Sequence, residues 1–405
     1  MADILFLAHR IPYPPNKGDK IRSWHLLAHL AKRHRVHLGC FVDDPADFAH
    51  VPFLQDLCAS VIALPLDPRK AKIRALSGFI RSEALSIGYY RDARLERWVA
   101  YTAMQNRLAA TVLYSSPMAQ YALHRRDKLG SVIMDFVDVD SDKWRQYAES
   151  RSFPMSWVYG REARTLLAYE REIAAKVDMS FFVSDAEAAL FRSLAPESAA
   201  KVAALTNAVD HAYFSPAHSF ASPFDGRENA LVFTGAMDYW ANVDAVDWFA
   251  REVLPLIRAG DGAAVFYIVG GNPTPRVKAL AELPGVRVTG RVPDVRPYIA
   301  HAAAVVCPLR IARGIQNKVL EGMAMARPVV ATPQAFEGID ATPGEQLLVA
   351  DTPEAFARDV LRILREGGGM LGERARARIL ARYGWDAALR LLDDVISDRA
   401  GVHHS

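Results

Sequence analysis

The chain has 405 residues, a formal net charge of +3, 51% hydrophobic and 23% charged residues. That length argues for two domains, the balance is that of a globular protein, and the small charge makes no case for a nucleic-acid partner. Asp3 ahead of a short apolar run excludes a secretory leader, no stretch reaches the ~20 apolar residues of a membrane span, and Cys40, Cys58 and Cys307 lack metal-ligand spacing, so the expectation is a cytoplasmic protein with reduced, buried thiols.

In chain order, Ile4–Ala8 reads as a buried parallel strand. Pro12, Pro14 and Pro15 then force an extended loop, after which Trp24, Leu27, Ala28 and Ala31 recur at helical spacing. Two readings stand for the loop. In one it lines a cleft, Gly18 allows close approach, and Lys17, Asp19 or Lys20 make polar contacts. In the other it is a surface loop leading into a helix. No GxGxxG occurs, so the dinucleotide fingerprint is absent. Strands follow at Val36–Val42 and Val61–Leu64. The next stretch, RKAKIRALSGFIRSEAL, sets Arg69, Lys70, Lys72, Arg74 and Arg81 beside Ile73, Leu76, Phe79 and Ile80. It reads either as a surface for an anionic membrane or as a domain helix with its apolar stripe in the core and a solvated basic face.

Thr111–Tyr114 and Ser131–Phe136 are further strands. The second runs into Asp135, Asp138, Asp140 and Asp142, acids that can bind a metal, orient an acceptor or supply a base. A calcium loop is rejected, because Lys143 stands where that loop needs glycine and no glutamate follows at its twelfth position. Some of these acids are expected to cap a helix over Lys143–Glu149. Helices at Met155–Lys176 and Asp185–Ser193 (capped by Ser184) and strands at Met179–Val183 and Val202–Leu205 complete a doubly wound half.

Residues 211–228, with Pro216, Pro223 and Gly226, lose periodicity and read as a linker. The alternation then restarts with strands at Ala230–Thr234, Val265–Val269, Val286–Thr289, Val305–Cys307, Val329–Ala331 and Leu347–Val349. Helices are expected at Pro353–Arg365 and Met370–Arg382. The domains are therefore expected at 1–210 and 229–384, with a last helix, about 385–397, packing back on the first.

Cys307–Thr332 carries most of the chemistry: a strand end, a glycine turn, a helix over Ile315–Met325 and a second strand. The unpaired N–H groups of the helix start, with Arg310, Arg313 and Lys318, suit a phosphate or diphosphate. Glu321, about a turn deeper, suits ribose hydroxyls. The alternative is a surface turn with solvated charges.

HRIPYPPNKGDKIR, DFVDVDSDKW, VSDAEAALF, NAVDHAYFSP, FTGAMDYWANVDAVDWF, VTGRVPDVRPYI and RGIQNKVLEGMAMARPVV, in this order, resemble the GT-B glycosyltransferases. More narrowly, the set is similar to the retaining family four and to the sugar transferase branch found with exosortase/PEP-CTERM exopolysaccharide systems. The resemblance implies an α/β protein of two Rossmann-like doubly wound domains facing a central cleft. The first domain would bind the acceptor and the second a nucleotide-diphosphate sugar, with no metal and no cofactor. By position it implies donor contacts from Gly18, Gly235, Arg291, Val292, Gly314, Ile315, Gln316, Asn317 and Glu321. Glu321 matches the second, ribose-binding glutamate of the family's E-x7-E motif, and Arg291 and Val292 fall beside the nucleobase.

Two departures stand out. Arg313 occupies the place of the first, sugar-contacting glutamate, and Ala236, Met237 and Asp238 follow Gly235 where an Arg and Lys pair is usual. Arg310 and Lys318 are therefore expected to supply charge to the diphosphate. Asp138 is expected to orient the acceptor hydroxyl, since Ser115 and Ser116 stand where the family often has a histidine. The implied acceptor is a lipid-linked saccharide at the inner face of the cytoplasmic membrane, with Arg69, Lys70, Lys72 and Arg74 toward the lipid. Two other readings stay open: a nucleotide-sugar epimerase of the same fold, and a non-catalytic scaffold of a polysaccharide complex.

Overall fold

The computed structural model describes residues 1–15, 18–312 and 314–402; Lys17 and Arg313, both singled out above, lie outside the described residues. Contacts divide the chain into two units, one of Met1–Thr206 with the residues from Leu389 on, the other of Asn207–Ala388.

The first unit holds a seven-stranded sheet: β1 (Asp3–Ala8), β2 (Arg35–Val42), β3 (Ser60–Pro65), β4 (Leu108–Tyr114), β5 (Ser131–Val137), β6 (Met179–Phe182) and β7 (Val202–Ala204), in the order β3-β2-β1-β4-β5-β6-β7. The second holds six: β8 (Asn229–Thr234), β9 (Ala264–Val269), β10 (Val286–Gly290), β11 (Ala304–Cys307), β12 (Val329–Ala331) and β13 (Leu348–Val349), in the order β10-β9-β8-β11-β12-β13. Every pairing is parallel. The continuous apolar runs explain this, since strands covered on both faces have no polar side to show; Ile4 to Ala8 are all fully buried. Strand order reverses between β1 and β4 in one unit and between β8 and β11 in the other.

In the first unit one buried ion pair ties three elements. Arg22, on helix Gly18–Ala31, donates to both Asp135 oxygens (2.8 and 3.0 Å) at the end of β5, and to the Leu205 carbonyl (2.6 Å) after β7. Both side chains are 1% exposed. The acids after β5 do not cap the helix that follows, which begins at Asp140 with no side-chain cap of its own. Glutamates from other helices supply acceptors instead: Glu187 to the Val139 N–H (2.8 Å) and Glu170 to the Ser141 N–H (3.3 Å) and hydroxyl (2.5 Å). Glu162, on the long helix Met155–Lys176, does the same for the N–H groups of Leu85 and Ser86 (2.7 and 3.1 Å).

Three expectations are corrected. The basic stretch is not one helix but three short ones, Pro68–Ala75, Ser77–Arg81 and Leu85–Tyr89, broken where Ser82 turns left-handed (φ 55°). Its apolar stripe does not enter the core; Ile73, Leu76, Phe79 and Ile80 are exposed. Arg74 leaves the proposed lipid-facing set, because its guanidinium donates to the Gly88 (2.9 Å) and Tyr89 carbonyls. Second, residues 211–228 pack on the second unit: Arg296 lies 3.7 Å from the Tyr213 ring centre, and the Phe224 ring meets Tyr267 at 4.6 Å. Third, the terminal segment forms two helices, Trp385–Ala388 and Arg390–Val402. Asp393 on the second binds His29 (2.9 Å) of helix Gly18–Ala31 and Arg33 (2.5 Å) in the turn just after it.

Arg22→Met strands the Asp135 carboxylate in the core. It should lower the unfolding free energy of the first unit by about 3–5 kcal/mol in urea denaturation. A change within experimental error would show that the pair does not hold these elements together.

Candidate functional site

In the second unit the loops after β8 and β11 leave the sheet where strand order reverses, the place where open parallel sheets bind ligands. The turn after β8 starts at Gly235. Gly270, at the end of β9, lies so close that a Cβ there would meet the Gly235 carbonyl oxygen at 1.7 Å. Backbone bonds then join three loops: Gly235 N–H to Val269 (3.0 Å), Met237 N–H to Gly271 (2.8 Å) and Gly270 N–H to Gly290 (3.1 Å). This brings Gly235 beside the loop that carries Arg291 and Val292. Arg291 is exposed and lies against Gly271, while Val292 packs on the core.

The loop after β11 turns at Gly314, whose φ of 63° favours glycine. The helix starts at Asn317 and ends at Ala324, shorter than the expected Ile315–Met325. Ile315 is buried, and Gln316 is extended, its carbonyl accepting the first helical bond from the Val319 N–H (3.0 Å). The Gln316 amide donates to the Gly314 carbonyl (3.1 Å).

Lys318, in the first turn, points at the β8 turn. Its Nζ donates to Asn242 Oδ1 (2.9 Å) and lies 4.7 Å from the Phe233 ring centre. Asn242 is itself buried and donates to the Ala236 carbonyl (2.9 Å). Asn242 thus clamps Lys318 between the two loops, with two ammonium protons left to give. Burial pushes the Lys318 ammonium pKa down, against the attraction of Cys307 and Glu321. Burial also pushes Glu321, one turn along, up to about 7, against the opposing charge of Lys318. Asn317 Oδ1 is buried with no partner among the described residues. One cation, the helix's leading N–H groups, an unmatched amide oxygen and a carboxyl group therefore converge.

Arg310 is held differently. Asp244 takes its guanidinium in two bonds (3.0 and 2.6 Å), and the pair is solvent-exposed. Its charge is already offset, so Lys318 rather than Arg310 is the cation fixed in the turn. The sequence reading passed over Asn242; its signal is an amide in the first turn of the helix that follows the Gly235 turn.

The first unit's switch point carries a polar cluster that sequence reading also passed over. The His9 ring, just past β1, stacks parallel to Tyr114 (5.7 Å, 10°) and edge-on to Tyr90 (5.6 Å). Its Nε2 lies 3.7 Å from the Asp19 carboxylate. Arg10 pairs with Asp19 and with Asp43 (2.9 Å), and the Tyr114 hydroxyl donates to the Asp19 carbonyl (2.8 Å). Burial works to raise the Asp19 pKa, but His9 and Arg10 outweigh it and hold the carboxyl well below its usual range. His9 Nδ1 and Asp43 Oδ1 are buried without a partner among the described residues. The available signal was a His-Arg pair at the carboxyl end of a buried strand. Ser115, after β4, is left-handed (φ 75°), a strained position for serine at this same edge.

The remaining predicted residues fall outside these clusters. Gly18 opens its helix, and a Cβ there would meet nothing within 4 Å, so local packing does not demand glycine. Lys20 is no loop contact; it is 1% exposed and bound to Asp47 (2.5 Å). Asp138 is no free carboxylate, because Lys143 binds it (2.7 Å) together with Asp140 (3.2 Å). Asp142 pairs with Arg145 (2.7 Å). Among the described residues no group of three or more His, Cys, Asp or Glu side chains is arranged to hold a metal ion.

Residues 228–366, within the second unit, match the family described as Glycosyl transferases group 1. No curated protein matches the chain in sequence. Among solved structures, the chain is similar to Anabaena Alr3699/HepE in complex with UDP-glucose, at 14% identity and a TM-score of 0.66 over 98% of this chain and 100% of that one. It is similar to sucrose-phosphate synthase from Thermosynechococcus elongatus, at 17% identity and a TM-score of 0.69 over 100% of both. The trehalose 6-phosphate synthase of Burkholderia multivorans follows at 11% and 0.64, again over 100% of both. At such identities the likeness speaks for the fold, and the fold is GT-B: two α/β units, each a parallel, Rossmann-like sheet.

Proposed function

We propose that the chain is a retaining glycosyltransferase that moves a sugar from a nucleoside-diphosphate donor to a lipid-linked saccharide in exopolysaccharide synthesis. This is the activity of the family-four, exosortase/PEP-CTERM-associated branch that its sequence resembles. The observation that carries the reading is Lys318, fixed by Asn242 at the helix start with Glu321 one turn on, inside the segment that matches group 1 glycosyl transferases.

The chemistry follows from charge. Breaking the glycosyl–phosphate bond leaves positive charge on the anomeric carbon and negative charge on the departing diphosphate. Lys318 and the leading N–H groups of helix Asn317–Ala324 are held in place before reaction, so they stabilise that leaving group without reorganising. Glu321 accepts the ribose hydroxyls. Arg310 joins only by trading Asp244 for phosphate. The reading calls for no protein nucleophile, resident metal or cofactor. Uridine is the base to try first, because the Anabaena structures hold UDP and UDP-glucose. The place of action in this reading is the inner face of the cytoplasmic membrane.

A thermal-shift screen of nucleoside-diphosphate sugars tests the donor, since a ligand that binds only the folded chain raises its melting temperature. A UDP-sugar should raise it, and Glu321→Ala should abolish the rise; a shift that survives the substitution removes the ribose assignment. Turnover that proceeds without any acceptor would point to epimerisation instead.

Lys318→Met should lower kcat by about 10²–10³-fold, in line with losing one preorganised donor to developing negative charge. Arg310→Gln should cost far less. Comparable losses in steady-state kinetics would return Arg310 to the diphosphate.

Glu321 also predicts a pH dependence. Its folded-state pKa of about 7 lies above the ordinary carboxyl value, so the group is protonated below that pH and ionised above it. A carboxylate accepts from both ribose hydroxyls better than the acid does. Affinity for a UDP-sugar should therefore rise as pH climbs toward about 7 and level off above it, while without donor the chain loses stability from the ordinary carboxyl range up to about 7 and no further above it. Calorimetric titration should show the rise, and Glu321→Gln should flatten it.

A further inference from the structure

Two segments of the first unit carry a large apolar face with no cover. On helices Pro68–Ala75 and Ser77–Arg81 and the residue between them, Ile73 is 70% exposed, Leu76 58%, Phe79 37% and Ile80 89%. At the start of helix Met155–Lys176, Phe153 is 81% exposed, Met155 42% and Trp157 55%. Phe79 and Trp157 stack with ring centres 6.2 Å apart and planes 6° apart, which joins the two segments into one surface.

The underside of this face is firmly tied. Arg161 lies 4.7 Å from the Phe79 ring centre and donates to the carbonyls of Gly78 (2.7 Å) and Glu83 (3.2 Å). Arg74 and Glu162 fasten the neighbouring helix Leu85–Tyr89. The exposure is thus a property of a fixed surface and not of a frayed end. Exposed apolar residues are ordinary one at a time, but a joined set with two aromatic rings marks a docking surface.

Cations outnumber acids nearby. Arg69, Lys70, Lys72, Arg81 and Arg151 are exposed and make no salt bridge among the described residues. The neighbouring acids are engaged: Asp67 accepts the N–H groups of Arg69 (2.9 Å) and Lys70 (3.4 Å), and Glu83 pairs with Arg91 (2.8 Å). Apolar and aromatic side chains among free cations match the boundary between acyl chains and anionic headgroups. A second copy of the chain would bring the same cations to face themselves, a like-charge contact that opposes pairing. Among the described residues no helix is long and apolar enough to cross a membrane, so contact would be from one side.

We propose that this face docks the protein on an anionic lipid bilayer, with Ile73, Leu76, Phe79, Ile80 and Trp157 entering the headgroup–acyl boundary. The inference does not depend on the transferase reading, and its test needs no donor or acceptor.

Co-sedimentation of the full chain with phosphatidylcholine vesicles, with and without phosphatidylglycerol, tests it. The chain should bind the anionic vesicles only, and added salt should weaken binding. The paired substitution Ile73→Glu and Ile80→Glu, at positions too exposed to unfold the chain, should lower the partition coefficient by at least about tenfold. The set Arg69→Gln, Lys70→Gln, Lys72→Gln and Arg81→Gln should do the same through charge. Failure of the unsubstituted chain to bind anionic vesicles overturns the proposal, as does binding that persists in both variants. A dimer in size-exclusion chromatography that the two glutamates dissociate, without vesicle binding, assigns the face to a second copy instead.

Discussion

Parallel strand pairing is the constraint on which the rest depends. It forces every strand-to-helix loop of a unit to one edge of its sheet. Where strand order reverses, the loops on either side diverge and leave their polar groups in reach of a ligand. In the second unit the diverging loops follow β8 and β11, and Asn242 spans them. Its amide holds the Ala236 carbonyl on one side and the Lys318 ammonium on the other. A lysine that would otherwise sample many rotamers is thereby held by protein contacts alone at the start of the helix. The first unit repeats the geometry with different chemistry: His9, Arg10 and Asp19 gather at the corresponding reversal between β1 and β4.

Burial then decides which charged groups matter. Lys318 and Glu321 are taken far enough from water that each is pushed toward its neutral form. In the proposed reading a diphosphate favours the charged form of the lysine and ribose hydroxyls satisfy the carboxylate, so a bound donor offsets the cost of burying both groups. Arg310 has no such cost to relieve. It is solvated and already bonded to Asp244, and its attraction for an anion is reduced by that pairing and by water. The two cations that look equivalent along the chain are thus unequal in the fold.

The sequence was most legible where one physical rule acted alone. Continuous apolar runs located the thirteen strands of the described residues to within a few positions, because a strand buried on both faces leaves no other pattern. Rules that depend on distant partners were not legible. The acids after β5 look like helix caps, yet the caps come from Glu170 and Glu187, residues far along the chain. Lys20 looks like a loop cation but meets Asp47 in the interior. In the candidate site, Lys318, Glu321 and Gly314 could be named from local spacing. Asn242 and His9 carry only a faint local signal, since their roles arise from loops joined by the sheet.

The stretch from Arg69 to Arg81 shows the same limit from the other side. Its periodicity states that one face is apolar, and that is equally true of a helix turned inward and of one turned outward. Direction is settled by what anchors the backbone. Arg74 and Arg161 bind carbonyls on the protein side and Glu162 takes N–H groups there, beside the small buried residues Ala71 and Ala75, so the larger hydrocarbon side chains are left outside. Holding the short helices by charged side chains frees their apolar residues for a second medium, and the cations that remain unpaired are those whose attraction for an anionic surface has not been cancelled.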